Sequence, residues 1–264
     1  MAASLDYIDH LRRESARFAA CLAGADASRR VPTCPEWTAD DLLWHLTEVQ
    51  LFWAVIVRDR LLDPEPADAA APPRPATRPA LLTLFAHATT QLADALSATP
   101  PETEIWTWSA DHHVAFVRRW QAHEALMHRI DAELLTGDST PVDPDLASDG
   151  VGVALTVVYS DAEDWATFTP DGATGLIRAD DTAAEWPITL GRFTGTSPST
   201  GTVYDRDSLA LLDTSASEPT FTVRGDVAAV DSWLWGRGPA SRLAFDGDGK
   251  ARSRLEQIVS RGVQ

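Results

Sequence analysis

The spacing of apolar residues changes character at Gly137, and that change limits the folds open to the chain. Before it, apolar positions recur at helical period in four long stretches. Leu5, Ile8, Leu11, Phe18, Ala19 and Leu22 mark a first helix over residues 4–24, with Gly24 as its stop. Thr38 reads as the N-cap of a second helix, with Asp41 three residues on, close to a capping box. Its apolar stripe is Leu42, Leu46, Val49, Trp53 and Ile56, with His45 at the edge. A third helix covers about 80–96 and is closed by Thr99-Pro100-Pro101, and a fourth spans Phe116 to Gly137. Between these, VPTCPEW reads as extended because Pro32 and Pro35 restrict it. The proline- and alanine-rich residues 63–79 read as a mobile interhelical loop or lid.

Past Gly137 the segments shorten. Residues 138–149 are rich in Asp, Ser and Pro and read as a linker. VALTVVYSDAEDW (153–165) is expected to be helical, whereas TGLIRAD (174–180), EWPITLGRF (185–193) and PTFTVRGD (219–226) have the composition of strands. DVAAVDSWLWGRG predicts a helix ending at Gly236, SRLAFDGD a further strand, and KARSRLEQIVSRG a terminal helix. The expected fold class is therefore α plus α+β. A four-helix first domain over 1–140 is followed by a smaller α+β domain over 146–264.

Composition narrows the function classes. With 44% hydrophobic and 23% charged residues, the 264-residue chain is of ordinary globular type. Its net charge of -17 is shared by both halves, and no basic stripe exists to bind nucleic acid. No run approaches ~18 apolar residues, so a membrane span is not expected. Two cysteines, Cys21 and Cys34, are too few for a disulfide framework, which points to reduced thiols in a cytoplasmic protein. Neither has a C-x-x-C or Cys/His setting that would make it a nucleophile.

All seven histidines, at 10, 45, 87, 112, 113, 123 and 128, lie in the first half. Within the fourth helix Glu124 and His128 are four residues apart and so project from one face, about a turn from each other. Together with His45 from the neighbouring second helix they make a candidate metal set of two imidazoles and one carboxylate, suited to zinc and similar divalent ions. The spacing equally fits a plain i,i+4 ion pair on a wet helix face, with His45 as a hydrogen-bonded core residue. Adjacent to Glu124, His123 is turned about 100° away and is expected to play a structural or outer role. Asp131 is placed to accept the second ring proton of His128. His112 and His113, ahead of the helix, read as solvated. Trp106 and Trp108, on alternate positions, are either core or the walls of a ligand pocket.

Four ordered motifs, CPEWTADDLLWHL, WTW, RRWQAHEALMHRIDAELLTG and SWLWGRG, make the chain resemble the mycothiol-dependent maleylpyruvate isomerase family. The resemblance runs through nearly the whole chain and is weakest in the proline-rich loop and the last 20 residues. It implies an N-terminal DinB-like four-helix bundle and a second α+β module similar to the sterol carrier protein fold. The family's metal ligands fall on His45, Glu124 and His128, and its active-site arginine on Arg237 within Gly236-Arg237-Gly238. The resemblance further implies a divalent metal, most naturally Zn2+, and mycothiol as the thiol cosubstrate, with Arg237 at the active site; Trp106 and Trp108, read from the residues alone, are the candidate walls for the bound molecules. A metal-held thiolate would add to an electrophilic small molecule. Addition to a conjugated double bond, rotation and elimination give cis-trans isomerisation, whereas a retained adduct makes the protein an S-transferase. A metal or small-ligand binding module without turnover is the third reading. Monomer and homodimer are both compatible with the sequence.

Overall fold

The computed structural model describes residues 5–160, 165–198, 200–214 and 218–262. It divides into two compact units, 1–141 and 142–264.

The first unit is organised by four long helices whose ends are set by local chemistry. Helix α1 (Tyr7–Ala23) begins where the Asp6 carboxylate accepts the Asp9 N–H at 3.0 Å. The chain then forms a two-stranded antiparallel hairpin, β1 (Arg30–Val31) and β2 (Cys34–Thr38), in which Val31 faces Cys34 across the Pro32-Thr33 turn. Helix α2 (Ala39–Asp59) starts on a complete capping box. The Asp41 N–H donates to Thr38 Oγ1 at 3.2 Å, and the Thr38 N–H donates to Asp41 Oδ2 at 2.9 Å.

The proline-rich stretch is more ordered than expected. A short helix α3 (Glu65–Ala69) forms within it, because Asp63 accepts the Glu65 N–H at 2.8 Å, Pro66 suits a first helical turn and Ala67 is buried. Arg74 and Arg78 tie the stretch to the start of α2 through Asp41 and Asp40, each at 2.7 Å. Helix α4 (Arg78–Ala98) follows, with Pro79 in its first turn, so it begins two residues earlier than its apolar pattern suggests. Helix α5 (Val114–Thr136) ends at Gly137, whose φ of 84° is the left-handed conformation that lets its N–H return to Glu133 O at 2.8 Å.

Helix α1 packs on α5 and α2 on α4, and the pairs close through α1–α4 and α2–α5. The core at this end joins Phe18, Val31, Leu42, Leu46, Phe85 and Leu135, all 1% exposed or less. Each buried side chain of this size contributes roughly 1.5–3 kcal/mol. That burial fixes the rotation of α2 and α5, and with it the direction of every polar side chain on their shared face.

In the second unit, helix α6 (Pro144–Val153) occupies what the sequence suggests is a linker. Asp143 caps it by accepting the N–H of Asp145 at 3.0 Å, and Pro144 takes the first position. Asp and Pro are turn residues and helix-start residues alike, which is why composition alone misassigns the segment. A wide π-turn over Ala154–Val158 continues it. The remainder of that expected helix includes 161–164, which lie outside the described residues.

A five-stranded sheet of order β5-β4-β3-β6-β7 follows, built from β3 (Ala166–Ala179), β4 (Glu185–Thr196), β5 (Val203–Leu211), β6 (Phe221–Gly225) and β7 (Ala244–Gly247). Among the described strand pairs, β3–β6 is parallel and the others are antiparallel. Strand β3 starts eight residues before the expected 174 because Pro170-Asp171-Gly172 forms a bulge rather than a turn, and the register with β4 shifts there. Strand β5 is absent from the sequence-based expectation. Its Asp205, Arg206 and Asp207 break the apolar alternation, and this edge strand pairs its charges instead, Asp205 with Arg192 at 2.6 Å and Asp207 with Arg254 at 3.0 Å. Helices α7 (Val227–Leu234) and α8 (Gly249–Val259) pack against the sheet.

Candidate metal centre

The capping box starts α2 at a defined residue, so His45 emerges at a fixed angle on the side that meets α5. There it finds Glu124 and His128. His45 Nε2 lies 3.6 Å and His128 Nε2 3.3 Å from the same atom, Glu124 Oε1. The two imidazole rings meet nearly edge-on, with centroids 4.9 Å apart and planes at 77°. One donor atom from each of the three residues lies within 4.8 Å of the other two.

These separations suit a metal set as well as an ion pair. In a tetrahedral site with ligand bonds of about 2.0–2.2 Å, neighbouring donors stand roughly 3.3–3.6 Å apart. Both imidazole-to-carboxylate distances are of that size. A helix-face ion pair needs neither a third residue from another helix nor burial. Here His45, Glu124 and His128 side chains are only 34%, 17% and 6% exposed. The donor set is two imidazole nitrogens and one carboxylate, with a side left for solvent or a ligand, which fits an open divalent site.

The surroundings hold the three in place. Asp131, wholly buried, accepts from or pairs with His128 Nδ1 at 2.9 Å, which leaves Nε2 directed at Glu124. Thr33 Oγ1 donates to the other Asp131 oxygen at 2.5 Å. Trp37 of β2 lies over His45 with ring centroids 4.6 Å apart and is 6.4 Å from His128. Burial by itself would raise the Glu124 pKa and lower that of His128. The bonds between them, and that of His128 to Asp131, outweigh it, so Glu124 is held well below the usual carboxylate range and His128 is raised to about 9. Two carboxylates around one imidazole make this a spot that favours positive charge.

The other sequence candidates take different places. His123 is fully buried on α5 outside the triad. His113 pairs with Asp111 at 2.7 Å and His112 lies 3.3 Å from Thr107, both exposed ahead of α5. Trp106 packs on α2, parallel to Trp53 at 5.9 Å and edge-on to Phe52 at 5.8 Å. Trp108, 49% exposed, packs on α5 against Trp120 at 4.7 Å and Phe116 at 5.4 Å. The alternate tryptophans thus cover the two ligand-bearing helices. Phe52 lies seven residues beyond His45, roughly 10 Å along α2, and Trp120 one turn before Glu124.

Arg237 belongs to the second unit. Its backbone N–H donates to Ser232 O at 2.7 Å and its Nη1 to Trp235 O at 2.7 Å, just past Gly236 at φ 73°. Nearby Tyr159 is pushed up to about 12 by burial, which the Arg237 charge opposes.

Sequence reasoning missed Thr33 and Trp37. Both lie in the short stretch before the Thr38 cap, where no periodicity marks them. The available signal was proximity: Trp37 adjoins the cap of the helix that carries His45.

Residues 8–133 match the family model described as the mycothiol maleylpyruvate isomerase N-terminal domain. Two solved structures share the fold across 91% of this chain and 91% of theirs. The crystal structure of the mycothiol-dependent maleylpyruvate isomerase has a TM-score of 0.56 at 13% identity, and that of a mutant of it a TM-score of 0.57 at 11% identity. At these identities the likeness establishes the fold. No curated protein matches the chain in sequence. Residues 8–133 are thus matched to the mycothiol maleylpyruvate isomerase N-terminal domain family, and the fold of the chain to the solved isomerase structures.

Proposed function

We propose that the protein is a mycothiol-dependent metalloenzyme acting on an electrophilic small molecule, with cis-trans isomerisation of the maleylpyruvate isomerase type as its reaction class. The observation that carries this reading is the convergence of His45, Glu124 and His128 at donor spacings suited to a divalent ion, within a domain of the matching family. The donor set favours Zn2+.

A divalent ion held by His45, Glu124 and His128 would supply Lewis acidity that favours the thiolate form of a thiol at neutral pH. The chain's own residues do the rest. Glu124, held anionic, contributes charge to the site, while His128 is aimed by Asp131 and His45 is backed by the Trp37 ring. Trp106 and Trp108, with Phe52 and Trp120, offer apolar surface on the two ligand-bearing helices that would exclude water from a bound organic molecule. The family resemblance gives Arg237 the binding of a substrate carboxylate, and its local setting supports that role. Its guanidinium is fixed by Trp235 O rather than free to sweep, which is the property an anion clamp needs.

The test is an assay of purified protein with mycothiol and maleylpyruvate, read by chromatography and mass spectrometry. Thiol-dependent formation of the trans isomer with no net thiol consumption is expected, and Arg237→Met should keep its metal while losing most turnover. Accumulation of a stable thiol adduct would assign the protein to S-transfer instead. No thiol-dependent product from maleylpyruvate or other electrophiles would overturn the enzymatic reading.

A further inference from the structure

The short hairpin ahead of α2 is joined to the centre at three points. Val31, fully buried, anchors β1 in the core shared by α2 and α5. Trp37 on β2 lies over His45. At the turn between the strands, Thr33 donates to Asp131, whose second oxygen pairs with His128. Arg30 Nη1 closes the hairpin on itself by donating to Glu36 O at 2.7 Å. The bond from Thr33 spans 98 residues of sequence and ends on a carboxylate with no exposure.

We propose that Thr33 is a positioning residue for the metal centre, acting through Asp131 to hold the His128 ring in its ligating orientation, so that the hairpin turn sets how tightly the site keeps its ion. The inference rests on the metal-centre reading above. A carboxylate paired with a ligating imidazole orients it only if the carboxylate is itself held. Asp131 has two oxygens and two jobs. One oxygen faces His128 Nδ1, and the other is fixed by the Thr33 hydroxyl. Without that hydroxyl, the carboxylate loses one of the bonds that set its side-chain torsion, and the ring loses a firmly held partner. His128 then meets the ion from a spread of angles rather than one. The packing of the hairpin is supplied by Val31 and its closure by Arg30.

The experiment compares wild type, Thr33→Val, Thr33→Ser and Asp131→Asn by competition with a chelator for Zn2+, and by the visible absorption of each protein loaded with Co2+. Circular dichroism melts of the four confirm that each is folded. Thr33→Val keeps the side-chain shape, so a weakening of roughly 10-fold in Zn2+ affinity with an altered Co2+ spectrum is expected, and Asp131→Asn should lose 10–100-fold. Thr33→Ser, which restores the hydroxyl, should recover both affinity and spectrum. Wild-type affinity and spectrum in Thr33→Val would overturn the assignment while leaving the metal centre standing. Wild-type protein that takes up no divalent ion would overturn both.

Discussion

One pair of side chains decides where α2 begins. Thr38 and Asp41 satisfy each other's backbone N–H groups, and everything that His45 meets depends on that start. Thr38→Ala should cost about 1 kcal/mol of stability by urea denaturation. Asp41 also gives the cap a pH signature. Its bonds to Thr38 and Arg74 hold its pKa down to about 2 from 3.8. A depressed carboxylate pKa stabilises the fold above the unfolded value, and the contribution is lost as pH falls through the folded one. The stability difference between wild type and Asp41→Asn should therefore shrink between about pH 4 and pH 2. An acid-side profile identical in the two proteins would remove Asp41 from the cap's energetics. This box was legible because its two partners are three residues apart. Thr33 and Asp131 are equally well bonded, yet nothing in the sequence near either one announces the other.

Elements were legible where one kind of signal dominated. The helices of the first unit carry long apolar stripes, and their ends differ from expectation by a few residues at most. Elements were misread where one residue type serves two purposes, as in α6 behind Asp143-Pro144, or where side chains pair with charges instead of apolar neighbours, as in β5. One contact between elements carries a specific prediction. Gly150 of α6 lies so close to α7 that a Cβ there would come within 2.4 Å of the buried Asp231 carboxyl. Burial and the nearby Asp149 raise the Asp231 pKa well above 3.8 against the pull of the Trp235 indole. Gly150→Ala should cost about 1–3 kcal/mol through overpacking. In Gly150→Ala combined with Asp231→Ala, the two costs should fall short of their sum, because the second change vacates the space the first one needs. Strict additivity in a double-mutant cycle, read by denaturant unfolding, would show that the helices do not touch there.

At the scale of the whole molecule, the change of period at Gly137 marks the passage from a helical unit to one built on a mixed sheet, and the two units divide four residues later. No helix among the described residues is long and apolar enough to cross a membrane. The candidate site was partly legible for a definite reason. Glu124 and His128 are related by helical spacing, so the sequence displays them as a pair. His45 is related to them only by packing; its place at the edge of the apolar stripe of the second helix singled it out among seven histidines, and the motif resemblance pointed to the same residue. The central claim is that these three side chains hold one divalent ion. Elemental analysis of purified wild type alongside His45→Ala, Glu124→Ala and His128→Ala tests it most directly. One equivalent of metal in the wild type and its loss from each variant is the expected result, whereas metal content unchanged by all three substitutions would contradict the account.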